Sequence, residues 1–168
     1  MRGFEDCQLS HAEPRHLSYL VRWINSGAVD LSGNKKLTTI AEQEVQLEDQ
    51  FVRTYVGTCK GEPFGFARTI MLNRLARTRQ LIIYADLNKC ADGDRKIIMA
   101  TAEYEFGCER IEKLVAEVLP TNQNLSKVYD AAGFKAEVKK RQHRFSDGKF
   151  HNVIEMAILA SDYESARS

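Results

Sequence analysis

Apolar and polar positions change period several times along the chain, and each change marks an element. Residues 2–9 are read as a first strand. Pro14 sits where helices start. Leu17, Leu20, Val21 and Ile24 follow it on one helical face. Asn25-Ser26-Gly27 stops that helix, and residues 27–38 read as loop. Thr38 or Thr39 caps a second helix to about Gln50, with an acidic polar face (Glu42, Glu44, Glu48, Asp49) and a weak apolar stripe. Phe51–Thr58 and Phe64–Leu72, separated by Lys60-Gly61-Glu62-Pro63, predict a hairpin. Leu81–Ala85 is nearly all apolar, the mark of a strand buried on both faces.

A polar loop, Asn88–Asp94, leads to a helix over Arg95–Phe106. Ile98, Ala102 and Phe106 share its inner face and Gly107 closes it. Leu114–Leu119 is a second buried strand, so strand, helix and strand predict a right-handed parallel crossover. Leu125, Val128, Tyr129 and Ala132 form another helical stripe, ended by Gly133. The chain finishes in a long hairpin, residues 134–145 and 150–159, around Ser146-Asp147-Gly148-Lys149. Ile154, Met156 and Ile158 alternate in its second arm. The order β-α-α-β-β-β-α-β-α-β-β predicts an α+β fold: a mixed, mostly antiparallel sheet with one central parallel pair and helices on both faces. Because most strand connections are hairpins, a doubly wound sheet is excluded.

Composition narrows the function classes. Residues 1–168 suffice for one domain, and no Pro- or Gly-rich linker divides them. Hydrophobic residues at 43% and charged residues at 28% argue against disorder. A net charge of +1 argues against a protein that coats nucleic acid. No apolar run approaches the ~18 residues of a membrane helix, and no signal-peptide stretch opens the chain, so a cytoplasmic location is expected. The scattered cysteines (Cys7, Cys59, Cys90, Cys108) contain no Cys-x-x-Cys pair and read as free thiols. His11, His16, His143 and His151 form no metal-binding spacing, so no metal is expected. No phosphate-binding Walker loop or nucleophile elbow is present.

The segment LVAEVLPTNQNLSKVYDAAGF, residues 114–134, is the most informative. A strand carries Glu117, Asn122 follows, a helix carries Tyr129, and Gly133-Phe134 closes the unit. This pattern resembles the acetyl-CoA site of the GNAT superfamily of N-acetyltransferases, above all the branch that acetylates protein N-termini, including those of ribosomal proteins. The closing hairpin and the strand order are similar as well. The resemblance is sharp from about residue 96 onward, and covers the first ~50 residues only in layout.

The resemblance implies acetyl transfer from acetyl-CoA to a primary amine by direct attack. Tyr129 would protonate the leaving thiolate, and Glu117 would deprotonate the amine, directly or through water; burial would raise its pKa toward a useful range. Backbone N–H groups of Ala85, Asp86 and Leu87 would hold the acetyl oxygen. Asn122 would contact the pantetheine arm, with Leu125 also among the cofactor-binding positions. From spacing alone, Tyr129 equally fits a core tyrosine, Glu117 a solvent-facing strand residue, and Asn122 a helix N-cap.

The phosphate cradle departs from the family pattern. Lys89, Asp92 and Asp94 fall where the family has Arg or Gln, Gly, and Gly or Ala; Gly93 is one place out of register. Aspartates repel a pyrophosphate, while Lys89, Arg95 and Lys96 offset part of that charge. Asp94 reads as the helix N-cap. The departure keeps a second reading open, a non-catalytic binding module on the same fold; an amino-sugar acetyltransferase is an alternative among the enzymes, and a basic-patch RNA-binding protein is a third reading. Basic residues gather at Lys135, Lys139, Lys140, Arg141, Arg144 and Lys149, and again at Arg74, Arg77 and Arg79. They fit solvated faces or a rim for an anionic substrate, the CoA 3′-phosphate or RNA. Trp23 is read as a packing residue. Residues 20–40 and 134–150 are expected to choose the acceptor, and exposed strand edges near the last hairpin leave room for a homodimer.

Overall fold

The computed structural model describes residues 6–26, 37–146 and 148–165. In chain order the elements are β1 (Cys7–His11), a 3-10 turn (Pro14–His16), α1 (Leu17–Asn25), α2 (Ile40–Glu48), β2 (Val52–Cys59), β3 (Glu62–Asn73), β4 (Thr78–Ala85), α3 (Gly93–Gly107), β5 (Lys113–Val118), α4 (Gln123–Ala131), β6 (Lys135–Ser146), β7 (Lys149–Leu159) and α5 (Ala160–Ser165). The strands join one sheet in the order β1-β2-β3-β4-β5-β7-β6. Only β4 and β5 run parallel; the other neighbours are antiparallel. The mixed sheet with one central parallel pair is thus the architecture the pattern predicts.

Details differ. The first strand starts at Cys7, and residues 2–5 of the expected strand lie outside the described residues, as do 27–36 and Asp147 of the hairpin turn. The short α5 was not foreseen; its Tyr163 packs on Phe106, ring centroids 5.4 Å apart. Asn25 and Thr38 exchange two hydrogen bonds, 3.0 and 2.8 Å, and so pin the chain on either side of residues 27–36.

The sheet is covered on both faces because alternate residues of its strands point oppositely. Leu81, Leu114, Ala116 and Met156 pack with Ile97, Ile98 and Tyr129 from α3 and α4. On the other face Val56 and Phe66 meet Leu20 and Trp23 of α1. Trp23 stacks on Phe66 at 6.1 Å, the packing role expected for it. The weak stripe of α2 is supplemented by polar contacts: Arg68 donates to Gln43 at 2.6 Å and to Thr54 at 3.1 Å, all three buried. Thr39 caps α2 through a reciprocal box with Glu42. At Gly65 a Cβ would collide with the Tyr84 carbonyl oxygen, so only glycine lets β3 lie this close to β4.

Two expectations are corrected. Cys7 and Cys59 are not free thiols: they are directly opposite in the β1–β2 ladder and form a disulfide. Their 52-residue separation hid that pairing from the sequence. Arg79 is no part of a solvated basic rim. It is buried, donates to the carbonyls of Phe51 at 2.8 Å and Thr69 at 3.2 Å, and faces the buried Glu105. Glu105 also accepts from Arg53 at 3.1 Å and Tyr55 at 2.9 Å, tying α3 to the sheet.

Candidate active site between the parted strands

The parallel pair is short. β4 and β5 are in register only at Thr78–Gln80 and Lys113–Val115. Beyond those residues β4 continues to Ala85 and β5 to Val118 without pairing. The strands part, and their facing backbone groups line a gap where a ladder would otherwise satisfy them. Asp86 N–H donates to Phe64 carbonyl at 2.7 Å, toward β3. By strand alternation, the N–H groups of Ile83 and Ala85 therefore point to the gap. This corrects the expected acetyl-oxygen donors: Ala85 faces the gap, whereas the Asp86 amide is occupied within the sheet.

The loop after β4 carries the remaining expected cradle. Leu87 and Lys89 are exposed, and the Lys89 ammonium reaches the Pro63 carbonyl at 3.4 Å. The helix begins at Gly93, which is buried against the Phe64 ring, so that a Cβ there would lie 2.9 Å from it. Asp94 is not the N-cap: Asp92 occupies that place in a left-handed conformation, φ 54, and makes no side-chain cap bond. Asp94 sits in the first turn and accepts from the Arg95 N–H at 2.7 Å. Arg95 is exposed, and the Lys96 ammonium lies 3.6 Å from Cys90 Sγ.

Glu117 and Tyr129 face opposite sides of the sheet. Tyr129 projects from α4 into the core that holds Ala116 and Val118, with Phe134 4.9 Å away. Its hydroxyl has no hydrogen-bond partner among the described residues, and burial pushes its pKa above the ordinary tyrosine value. Asn122 caps α4 by accepting from the Leu125 N–H at 3.2 Å, and the half-buried Leu125 packs on the same core.

Glu117 instead lines a cavity of about 560 Å³ on the other face, with Gln80, Ile82, Lys140, His143 and Glu155 among its walls. Lys140 donates to Glu117 at 2.9 Å and to Glu155 at 2.6 Å. His143 Nε2 lies 3.0 Å from Glu117. Burial pushes the Glu117 pKa up. The Lys140 hydrogen bond and the charges of Lys140, His143 and Arg144 outweigh it, and the carboxyl is held below its ordinary value. The expected upward shift is therefore reversed: burial is only partial and cations surround the group.

A bulge supplies those cations. Between the pairs Lys140–Val153 and Arg144–His151, β6 advances four residues while β7 advances two. Gln142 turns through φ 47 within it, and its N–H donates to Asn152 at 3.0 Å. The extra residues re-aim His143 and Arg144 at the cavity. Sequence reasoning missed His143 and Glu155 as site residues. No local signal marks them, since the bulge and the β5–β7 register bring them to Glu117.

No family model matches the chain. Spermidine N(1)-acetyltransferase of Escherichia coli K12 is 27% identical over 119 residues, covering 70% of this chain and 63% of that protein. The chain thus spans under two thirds of that curated relative's length. Spermidine N-acetyltransferase of Vibrio cholerae in complex with CoA and spermine superposes with a TM-score of 0.85 at 20% identity, covering 96% of this chain and 99% of that one. A dodecameric structure of the Vibrio cholerae enzyme gives 0.83 at 19% identity, covering 98% and 100%. The fold is that of these acetyltransferases. The narrower likeness to the protein N-terminal branch finds no support, because these relatives carry the name of a polyamine acetyltransferase.

Proposed function

We propose that the chain is an N-acetyltransferase that moves an acetyl group from acetyl-CoA directly to a small primary amine, a polyamine being the first class to test. The observation that carries this reading is the parting of β4 and β5 beyond Gln80 and Val115. It leaves N–H donors at Ile83 and Ala85 between the Tyr129 core on one face and the Glu117 cavity on the other. The likeness to spermidine N-acetyltransferases, one of them in complex with CoA and spermine, supports the acceptor class.

The residues fit the co-substrate. Gly93 seats the start of α3 against the Phe64 ring, where a Cβ would not fit, and the N–H groups of that first turn would attract a pyrophosphate. Lys89, Arg95 and Lys96 supply positive charge there, and Asn122 and Leu125 border the start of α4. Acetyl-CoA brings an activated thioester. Ile83 and Ala85 N–H groups would stabilise the oxyanion. Tyr129, its pKa raised by burial, stays protonated at neutral pH and would give its proton to the departing thiolate.

The amine would enter from the 560 Å³ cavity. Glu117 is ionised and bound to Lys140 and His143, so it is a weak base in its own right. His143, whose Nε2 lies 3.0 Å from Glu117 at the cavity wall, is a second group placed to take the ammonium proton, directly or through water. Glu117 and Glu155 would also attract a cationic acceptor.

Asp92 and Asp94 favour the alternative, a binding module that has lost the cofactor. Calorimetric titration with acetyl-CoA and with free CoA separates the two. Micromolar binding followed by spermidine-dependent CoA release is the expected result; no binding at millimolar ligand would leave the module. Self-association fits the outer strand β6, where Val138 and Phe145 are exposed beside Phe150. Sedimentation of the purified chain is expected to give a dimer or larger.

A further inference from the structure

Three sulfurs meet at the N-terminal end of α3, apart from the parted strands. Cys90 Sγ lies 3.7 Å from Cys7 Sγ and 3.7 Å from Cys59 Sγ. Cys7 and Cys90 are buried and Cys59 is partly so. They come from β1, β2 and the loop before α3, so only the tertiary fold assembles them. No other group of three or more histidine, cysteine, aspartate or glutamate side chains among the described residues has its ligand atoms this close together.

Equal distances set Cys90 broadside to the Cys7–Cys59 bond. Thiol–disulfide exchange needs a thiolate in line with the bond it attacks. A triangle of sulfurs suits a shared ligand instead. Metal–sulfur bonds of about 2.3 Å put three sulfurs roughly 4 Å apart around one ion, and the two distances to Cys90 are 3.7 Å. The ladder already holds Cys7 and Cys59 face to face.

We infer that the reduced chain binds one soft, thiophilic ion, Cu(I), through Cys7, Cys59 and Cys90. A low-molecular-weight thiol supplies the two electrons and two protons that open the disulfide and is itself oxidised to a disulfide. Binding then exchanges three thiol protons for one cation. Three thiolates with no fourth protein donor among the described residues match a three-coordinate monovalent ion and leave a tetrahedral Zn(II) short of a ligand. The Lys96 ammonium, 3.6 Å from Cys90 Sγ, offsets the excess negative charge of the complex. Cys7 and Cys90 belong to the buried apolar cluster that contains Leu9 and Phe64, with Cys59 packed against it, which limits water at the sulfurs.

The test is anaerobic titration of the reduced full-length chain with Cu(I), against a chromophoric Cu(I) chelator. One equivalent is expected, with ultraviolet thiolate-to-copper absorption. The number of reactive thiols should fall from the chain's four to one, the exposed Cys108. Cys108→Ser should keep full uptake. Cys90→Ser and Cys59→Ser should each lose stoichiometric uptake while circular dichroism stays native. The assignment is overturned if the reduced, folded protein takes no Cu(I), or if Cys90→Ser retains it. Unfolding on reduction, or Zn(II) held in preference to Cu(I), also overturns it.

Discussion

Tyr129 and Glu117 carry opposite burdens. The tyrosine hydroxyl is kept protonated by burial and makes no hydrogen bond among the described residues, so removing it breaks no internal contact. Tyr129→Phe should therefore keep the melting temperature near that of the parent and lower kcat by about 10²–10⁴-fold, the usual worth of a general acid. Steady-state CoA release and a thermal melt check both halves. Glu117 is held below its ordinary value of 4.5 by Lys140 and His143 against the opposing push of burial. A depressed carboxylate stabilises the fold above its unfolded-state pKa, and that contribution is lost as pH falls through the folded-state value. Between pH 7 and pH 3 the parent should lose more stability than Glu117→Gln, as read by urea denaturation at each pH.

Between elements, buried charge decides how α3 sits. Glu105 on that helix meets Arg53 and Tyr55 of β2, Thr69 of β3 and Arg79 of β4. Arg79 is fully enclosed and its Nε has no hydrogen bond. Glu105→Ala would leave that guanidinium buried without its counter-charge, at a cost of about 3–5 kcal/mol. Equilibrium unfolding should find a loss of that size; a loss under about 1 kcal/mol would mean that water enters and solvates Arg79. The same helix begins, at Gly93, the proposed phosphate cradle. The variant should therefore weaken CoA binding as well, even though Glu105 is remote from the loop in sequence.

At the scale of the whole molecule, the two faces of one sheet would work together through the gap between β4 and β5. Tyr129, the proposed acid, lies in the α3–α4 core and the proposed acceptor cavity on the other side, so co-substrate and amine would reach the reacting carbon from different sides. A ligand that bridges β4, β5, the α3 start and α4 binds only the folded chain. Free CoA at a hundred times its Kd should add about 2.7 kcal/mol of stability. A melting temperature that does not move with CoA concentration would point to the binding-module reading.

Much of the element order was legible along the chain. The stripe Ile98, Ala102, Phe106 and the stripe containing Tyr129 and Ala132 are buried as their spacing requires, because helical faces are set by neighbours three and four residues apart. Thr39 and Asn122 cap their helices for the same local reason. The site was legible only in part. Glu117, Tyr129 and Asn122 stand out from one short segment, but their surroundings do not. Strand register over 52 residues made Cys7 and Cys59 a disulfide. A bulge in β6 put His143 beside Glu117, and together with Lys140 it reversed the expected pKa shift. The early end of the β4–β5 ladder opened the gap. Local spacing fixes which face of an element is apolar; register, bulges and strand separation depend on partners distant in sequence, and they decide which charges and thiols become neighbours.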